Sequence, residues 1–223
     1  MYNEEIRLFD TTQERIVVPT NELIKEKKAD FRVLLAISTI SNVERCDYEG
    51  DNKRYVSLNK FNRKQKIICK SIGISTSQLN KHINALIKCG SEEFKLVEYE
   101  HEGEKIWCYE INYKAGGFVT ISYDKVEKLV VGLSNNCIKL YSTLLWICCK
   151  EGEMVEKAIT QEYLLKQMGL SPSSQKVLKI ATDTLREAGL INVRKEMETD
   201  TLIENGVVKN SKPKTIIFYS VCC

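Results

Sequence analysis

The sequence predicts a helix-rich α+β fold in which one order of elements occurs twice along 223 residues. A turn made of glycine, an apolar residue and serine occurs at 73–75 and again at 169–171. An amphipathic helix follows each turn, with apolar residues three and four positions apart. Two strand-like segments follow each of these helices. Because the order repeats after roughly one hundred residues, we expect two domains of similar architecture.

The first repeat is defined by its apolar periodicity and its helix-capping residues. Leu79, Ile83 and Leu86 form one stripe of a helix that Ser75 is expected to cap. Asn59 is the expected cap of the helix before the turn. The predicted elements are a strand at 15–19, a helix at 29–41, a strand at 55–58, a helix from 59 to 69 or 71, a helix at 76–88, and strands at 95–100 and 105–112.

The second repeat follows the same order. Thr160 is the expected cap of the helix before its turn. Pro172 occupies the first position of the helix after the turn, where proline is favoured. Gly116 and Gly117 mark the boundary, which gives domains 1–114 and 115–223. The predicted elements are a strand at 118–121, helices at 135–149, 161–168 and 172–187, and strands at 190–195 and 215–221.

The order helix, helix, glycine-containing turn, helix and β-hairpin is typical of a helix-turn-helix with a wing. The sequence therefore predicts two winged-helix domains in tandem, the second with a long basic hairpin. The competing interpretation is a pair of unrelated α+β domains.

Charge is strongly segregated in the first domain. Residues 52–91 contain nine lysines and arginines and no Asp or Glu. The segment before this block carries eleven acids and seven bases, and residues 92–110 carry seven Glu and two Lys. A block of one charge repels itself, and its usual function is to neutralise nucleic-acid phosphates. The alternative interpretation is a set of solvated basic helix faces.

The helix after the turn of a winged helix lies in the major groove, where its outward side chains contact base edges. Gln and Asn suit adenine, whereas Ser, Thr and Lys suit phosphates or less specific edges. The expected base-reading residues are Thr76, Ser77, Gln78, Asn80, Lys81 and Asn84 in the first domain, and Ser173, Ser174, Gln175, Lys176 and Lys179 in the second.

Phosphate contacts are expected from the basic helix before the first turn and from the second hairpin. The first hairpin is different, because Glu98, Glu100, Glu102 and Glu104 surround its tip. We expect it to avoid the DNA backbone and to face solvent, the other domain or a protein partner. The expected phosphate-binding residues are Lys60, Arg63, Lys64, Lys66, Arg194, Lys209, Lys212 and Lys214, with a solvated loop as the alternative for the second hairpin.

Several classes of protein are not expected. The sequence has no glycine-rich phosphate loop, no Gly-x-Ser-x-Gly and only two His, so we predict neither an enzyme nor a cofactor. Its nine Cys lack Cys-x-x-Cys spacing, so no metal site is expected. No apolar run is long enough for a membrane helix, and the acidic start lacks a signal-peptide core. We therefore expect a cytoplasmic protein.

Two winged helices in about 220 residues resemble the layout of replication initiators from plasmids and phages. The stretch FVTISYDKVEKLVVGLSNNCIKLYSTLLWICC is similar to the opening of winged-helix domains in initiators of Gram-positive bacterial elements: a strand, a short helix and a Leu/Tyr-rich helix. The resemblance implies sequence-specific binding of double-stranded origin DNA and recruitment of the host helicase machinery.

Three hypotheses for function remain open. The first is a replication initiator or a related origin-binding protein. The second is a transcriptional repressor with the same DNA-binding parts. The third is a winged-helix subunit that binds proteins and not DNA, against which the acid-free block argues. A homodimer formed through an edge hairpin is also left open.

Overall fold

The computed structural model describes residues 15–19, 23–41, 53–89, 92–101, 103–112, 118–150, 153–198, 201–204, 207–210 and 214–222. The fold combines α-helices with small antiparallel sheets. Two compact units are present, residues Met1–Lys139 and Leu140–Cys223.

Among the described residues, the first unit contains five strands and most of the helices. Its elements are β1 (Arg15–Pro19), a short 3-10 helix (Leu23–Lys25), α1 (Phe31–Thr39), β2 (Lys53–Ser57), α2 (Leu58–Ile72), α3 (Thr76–Lys88), β3 (Phe94–His101), β4 (Glu104–Asn112), β5 (Phe118–Ser122), α4 (Tyr123–Gly132) and the start of α5 (Asn135–Cys148). A three-stranded sheet has the order β2-β4-β3, and β1 pairs with β5 in a separate ribbon. The division between the units falls inside α5.

Helix α1 is the centre of the first core. Eight of its nine residues are buried, and it packs against α2, α3 and α4. The helix begins after Asp30, whose side chain accepts a hydrogen bond from the backbone N–H of Arg32 at 2.9 Å. It ends at Thr39, so it is shorter at both ends than the predicted helix. Tyr109 of β4 joins the sheet to the helices, because its ring stacks on Phe94 and meets the edge of Phe61.

The turn between α2 and α3 is held by local backbone and side-chain contacts. Ser57, and not the predicted Asn59, caps α2, because its hydroxyl accepts the Lys60 N–H at 3.2 Å where β2 ends. Gly73 ends the helix with φ of 74°, a left-handed conformation that suits glycine. Ser75 then caps α3 as predicted, and the bounds of α3 match the sequence prediction.

The second unit repeats the order of the first on a smaller scale. After α5 come β6 (Cys149–Lys150), β7 (Glu153–Met154), β8 (Lys157–Ala158), α6 (Gln161–Gln167), a 3-10 turn (Pro172–Ser174), α7 (Gln175–Glu187), β9 (Ile191–Glu198), β10 (Thr201–Glu204), β11 (Val207–Asn210) and β12 (Lys214–Val221). Thr160 caps α6 as predicted, and Gly169 occupies the left-handed region with φ of 70°.

The sheet of the second unit has the order β8-β12-β9, which matches β2-β4-β3 element for element. In each unit, the strand before the helix pair joins the last strand of the hairpin. The sequence analysis missed β8, because a strand of two residues has no periodicity to detect.

The units also divide at a different place from the predicted boundary after residue 114. Strand β5 pairs with β1 over five residue pairs, and α4 packs on α1 and α2. Both elements therefore belong to the first unit, although the sequence places them in the second repeat. The glycine pair that suggested the boundary lies outside the described residues.

Candidate nucleic-acid interface

Helix α3 separates an apolar face from a polar one. Leu79, Ile83 and Leu86 are at most 3% exposed and pack into the first core. The six predicted base-reading residues all lie on the exposed face: Thr76, Ser77, Gln78, Asn80, Lys81 and Asn84. The structure therefore brings this predicted set together on one surface.

The basic helix α2 adds unpaired cations beside α3. Arg63 and Lys66 are exposed and Lys64 is half-buried. None of the three forms an ion pair with any residue that the structure describes. Lys60, the fourth predicted phosphate ligand, lies half-buried in the first turn of α2. The charges of Arg63, Lys64 and Lys66 are available to an anionic partner, because no described carboxylate pairs with them.

The side-chain amides of two predicted base readers on α3 also bond within the protein. The side-chain oxygen of Gln78 accepts the Ser75 N–H at 2.8 Å, which completes a capping box. The side-chain oxygen of Asn80 accepts a hydrogen bond from Gln65 of α2 at 3.2 Å. Both amide oxygens are thus oriented before any ligand arrives, and each keeps a second lone pair that can accept a hydrogen bond from adenine.

His82 has a structural contact that sequence reasoning missed. Its Nδ1 accepts the backbone N–H of Asp30 at 3.2 Å. The imidazole thereby ties the loop before α1 to the middle of α3. No local sequence pattern indicates this contact, because the two residues are separated by 52 positions.

The first hairpin, formed by β3 and β4 and predicted to be a wing, presents acids and exposed apolar residues. Glu98, Glu100 and Glu104 are exposed, and Glu98 forms an ion pair with Lys105 at 3.2 Å. Trp107 lies opposite Glu98 in the register and is 51% exposed. Leu96 on β3 is 40% exposed. Sequence reasoning missed these two apolar residues. Glu102 lies outside the described residues.

Helix α7 of the second unit presents a more mixed surface. The predicted Ser173, Gln175, Lys176 and Lys179 are exposed, whereas Ser174 is half-buried. The hydroxyl groups of Ser173 and Ser174 both lie within 3.0 Å of that of Ser171 at the start of the helix. These two serines therefore have a local partner already.

An apolar residue stands among the exposed cations of α7. Ile180 is 57% exposed, one position after Lys179 and four after Lys176. The sequence analysis missed it, because an isoleucine in a helix is ordinarily assigned to the core. Its exposed methyl groups add an apolar contact point to this face.

Arg194, a predicted phosphate ligand, is engaged by carboxylates. Its guanidinium binds Glu156 at 2.6 Å, contacts Glu196 and lies over the ring of Phe218 at 4.2 Å. The hydrogen bond to Glu156 is the main cause that raises the pKa of Arg194, and the same bond lowers the pKa of Glu156. A phosphate would have to displace two carboxylates, so the structure does not favour Arg194 as a contact.

The remaining predicted phosphate ligands belong to the second hairpin. Lys214 begins β12 and is exposed. Lys209 belongs to β11, which pairs with β10, but its side chain lies outside the described residues, as does the whole of Lys212.

Two general properties of the described residues bear on function. No helix among them combines the length and hydrophobicity that a bilayer crossing requires. No group of three or more His, Cys, Asp or Glu side chains among them is placed to hold a metal ion.

No known family model matches the chain, and no curated protein is significantly similar to it.

Proposed function

We propose that the two units are winged helices in tandem and that the chain binds double-stranded DNA in a sequence-specific manner, as an origin-binding or replication-initiator protein of a plasmid or phage element. The observation that carries the proposal is the exposed surface of α2 and α3. It combines unpaired cations for phosphates with outward Asn, Gln, Ser and Thr side chains for base edges.

The sheet order supports the winged-helix assignment. In both units a short strand precedes two helices, a glycine turn separates these helices, and the strand pairs with the last strand of the following hairpin. Two independent segments of one chain thus reach the same arrangement. The helix after the turn carries an exposed polar face in each unit, as groove binding requires.

The first wing supports initiation over simple repression. An initiator must hold a protein partner while it holds DNA. The wing repels phosphates through its exposed glutamates, yet it offers Trp107 and Leu96 as apolar contacts. A protein contact at this hairpin would leave the basic surface of α2 and α3 open for DNA.

Fluorescence anisotropy with a labelled mixed-sequence duplex across a salt series tests DNA binding. The variant Arg63→Glu/Lys64→Glu removes two predicted phosphate contacts, and circular dichroism checks its fold. We expect the slope of log affinity against log salt to become shallower by about 1.8, because each lost phosphate contact accounts for roughly 0.9. Affinity at moderate salt should fall at least about tenfold.

The matched control is Lys27→Glu/Lys128→Glu, which changes the same charge on exposed lysines of the same unit outside α2 and α3. This control should keep a slope close to that of the wild type. A wild-type protein that shows no salt-sensitive binding at low ionic strength contradicts the proposal. Selection of bound sequences from a random pool then tests specificity, and reconstitution of the selected site with a host helicase loader separates initiation from repression.

A further inference from the structure

A cleft of about 510 Å³ opens beside the exposed face of α3, between this helix and the loop before α1. Lys81, Asn84 and Lys88 of α3 line one side of the cleft, and Glu26 and Lys28 line the other. Ala85 and the exposed thiol of Cys89 complete the lining. The cleft therefore begins where the proposed DNA-reading face of α3 ends.

The cleft is cationic. Lys28, Lys81 and Lys88 are exposed, and none has an ion-pair partner within the described part of the chain. Glu26 is the one acid that lines it, and its carboxylate already accepts the Lys28 N–H at 2.7 Å. Three ammonium groups thus face one carboxylate that is already hydrogen-bonded to the backbone.

The loop side of the cleft is fixed in place. The backbone carbonyl of Glu26 accepts a hydrogen bond from the buried Lys139 ammonium at 2.6 Å. The N–H of Asp30 donates to His82 on α3 at 3.2 Å. These bonds fix the distance between Lys28 and α3 in the absence of a ligand. Less conformational entropy is therefore lost when a ligand binds.

We propose that this cleft binds a backbone phosphate of DNA whose major groove α3 occupies, with Lys28 and Lys88 as two contacts that the sequence analysis did not assign. This inference rests on the proposed function. A backbone phosphate fits better than a free anion, because the cleft is open and is continuous with Lys81 and Asn84 on the exposed face of α3. The amide of Asn84 can donate to the same phosphate.

The variant Lys28→Gln/Lys88→Gln tests the proposal in the full-length protein by anisotropy with a 24-base-pair mixed-sequence duplex. The matched control is Lys27→Gln/Lys128→Gln, which removes two exposed lysines that do not line the cleft. We expect the salt slope to become shallower by about 0.9 in the cleft variant, because one phosphate contact is lost, and to stay unchanged in the control. An unchanged slope in the cleft variant, beside normal wild-type binding, overturns the proposal.

Cys89 supplies a second measurement that does not depend on altered charge. Alkylation by N-ethylmaleimide, resolved by peptide mass spectrometry, should slow at Cys89 when the wild-type protein is saturated with the duplex. Inorganic tripolyphosphate at equal phosphate concentration should protect Cys89 much less. Equal protection by tripolyphosphate overturns the DNA assignment and identifies a free-anion site. Absence of wild-type duplex binding is a distinct result that refutes the proposed function and this inference together.

Discussion

Residues 58–88 of the first unit and residues 161–187 of the second build the same pair of helices around a glycine turn. The first pair carries seven bases and no acid, whereas the second carries four bases and three acids. Their hairpins reverse this contrast, because the first has exposed glutamates at its tip and the second begins its last strand with an exposed lysine. Equal architecture and unequal charge imply that the two units would contribute differently to the proposed contact with DNA.

The cores of the two units also differ in the number of buried charged residues. The buried charged residues of the described chain all belong to the first unit: Asp30, Glu93, Glu110 and Lys139. The buried polar side chains of the second unit are the hydroxyls of Ser142 and Thr143. Because burial lowers the pKa of Lys139 to about 8, we expect the first unit to contribute a pH dependence of stability above about pH 8.

We expect the largest effect when charge-reversal variants of the two helix pairs are compared for their affinity for a DNA duplex. The variant Lys176→Glu/Lys179→Glu in α7 matches Arg63→Glu/Lys64→Glu in α2 in number and sign of charges. We expect the α2 variant to lose at least about tenfold in duplex affinity at moderate salt and the α7 variant to lose clearly less. The reason is that no acid weakens the field along α2 and α3, whereas Asp183 and Glu187 weaken it along α7.

Anisotropy titrations of both variants at several salt concentrations measure this difference. An equal loss in both would show that the net charge of a helix pair does not rank its contribution, and that both units hold DNA to the same extent.

The second effect concerns Lys139. Burial lowers the pKa of this ammonium from 10.5 to about 8. Below pH 8 the folded chain carries the full cost of a buried cation, and between pH 8 and 10.5 the unfolded chain binds the extra proton, so stability rises with pH. We expect the wild type to gain about 2 kcal/mol relative to Lys139→Met between pH 7.0 and 9.5, because about 1.5 pH units lie between the folded pKa of about 8 and pH 9.5.

Urea denaturation of both proteins at pH 7.0, 8.5 and 9.5 measures this gain. The series ends at pH 9.5, because burial raises the pKa of Tyr219 from 10.0 to about 12 and its titration in the unfolded chain would lower stability above that range. A constant stability difference between wild type and variant would show that Lys139 stays protonated when folded.

The sequence predicted the structural features that depend only on residues close together along the chain. The bounds of α3, its Ser75 cap and the turns at Gly73 and Gly169 all follow from local periodicity and capping rules. The outward face of α3 follows from the same periodicity. Because the helix period fixes which side chains point away from the core, all six predicted positions are exposed.

The contacts that were missed depend on tertiary structure. Glu156 reaches Arg194 across 38 positions, through strands that no pattern brings together. The pairing of β1 with β5 joins residues about one hundred positions apart, and it moves the unit boundary away from the Gly-rich segment. Such contacts require the register of the sheets, which local sequence rules do not supply.

A third effect tests whether the two glycine turns contribute equally to stability. Gly73 and Gly169 have φ of 74° and 70°. A non-glycine residue in this region costs about 1–2 kcal/mol, so Gly73→Ala and Gly169→Ala should destabilise their units by similar amounts. Gly73→Asn should cost less than Gly73→Ala, because asparagine tolerates the left-handed region. Thermal denaturation measures all three, and a loss much larger in one unit would contradict the equivalence.

The smallest effect concerns the apolar residue on α7, for which α3 has no exposed counterpart. Ile180 is 57% exposed, and in the proposed DNA complex it would contact the methyl group of a thymine in the major groove. Replacing that thymine by deoxyuridine in a selected site should weaken wild-type binding by about 0.8 kcal/mol, or roughly fourfold. Ile180→Ala should bind the two duplexes equally, because the contact is absent in both cases. If wild type and variant lose the same affinity on deoxyuridine substitution, Ile180 does not read the methyl group, and its exposure would then mark a protein contact in the second unit.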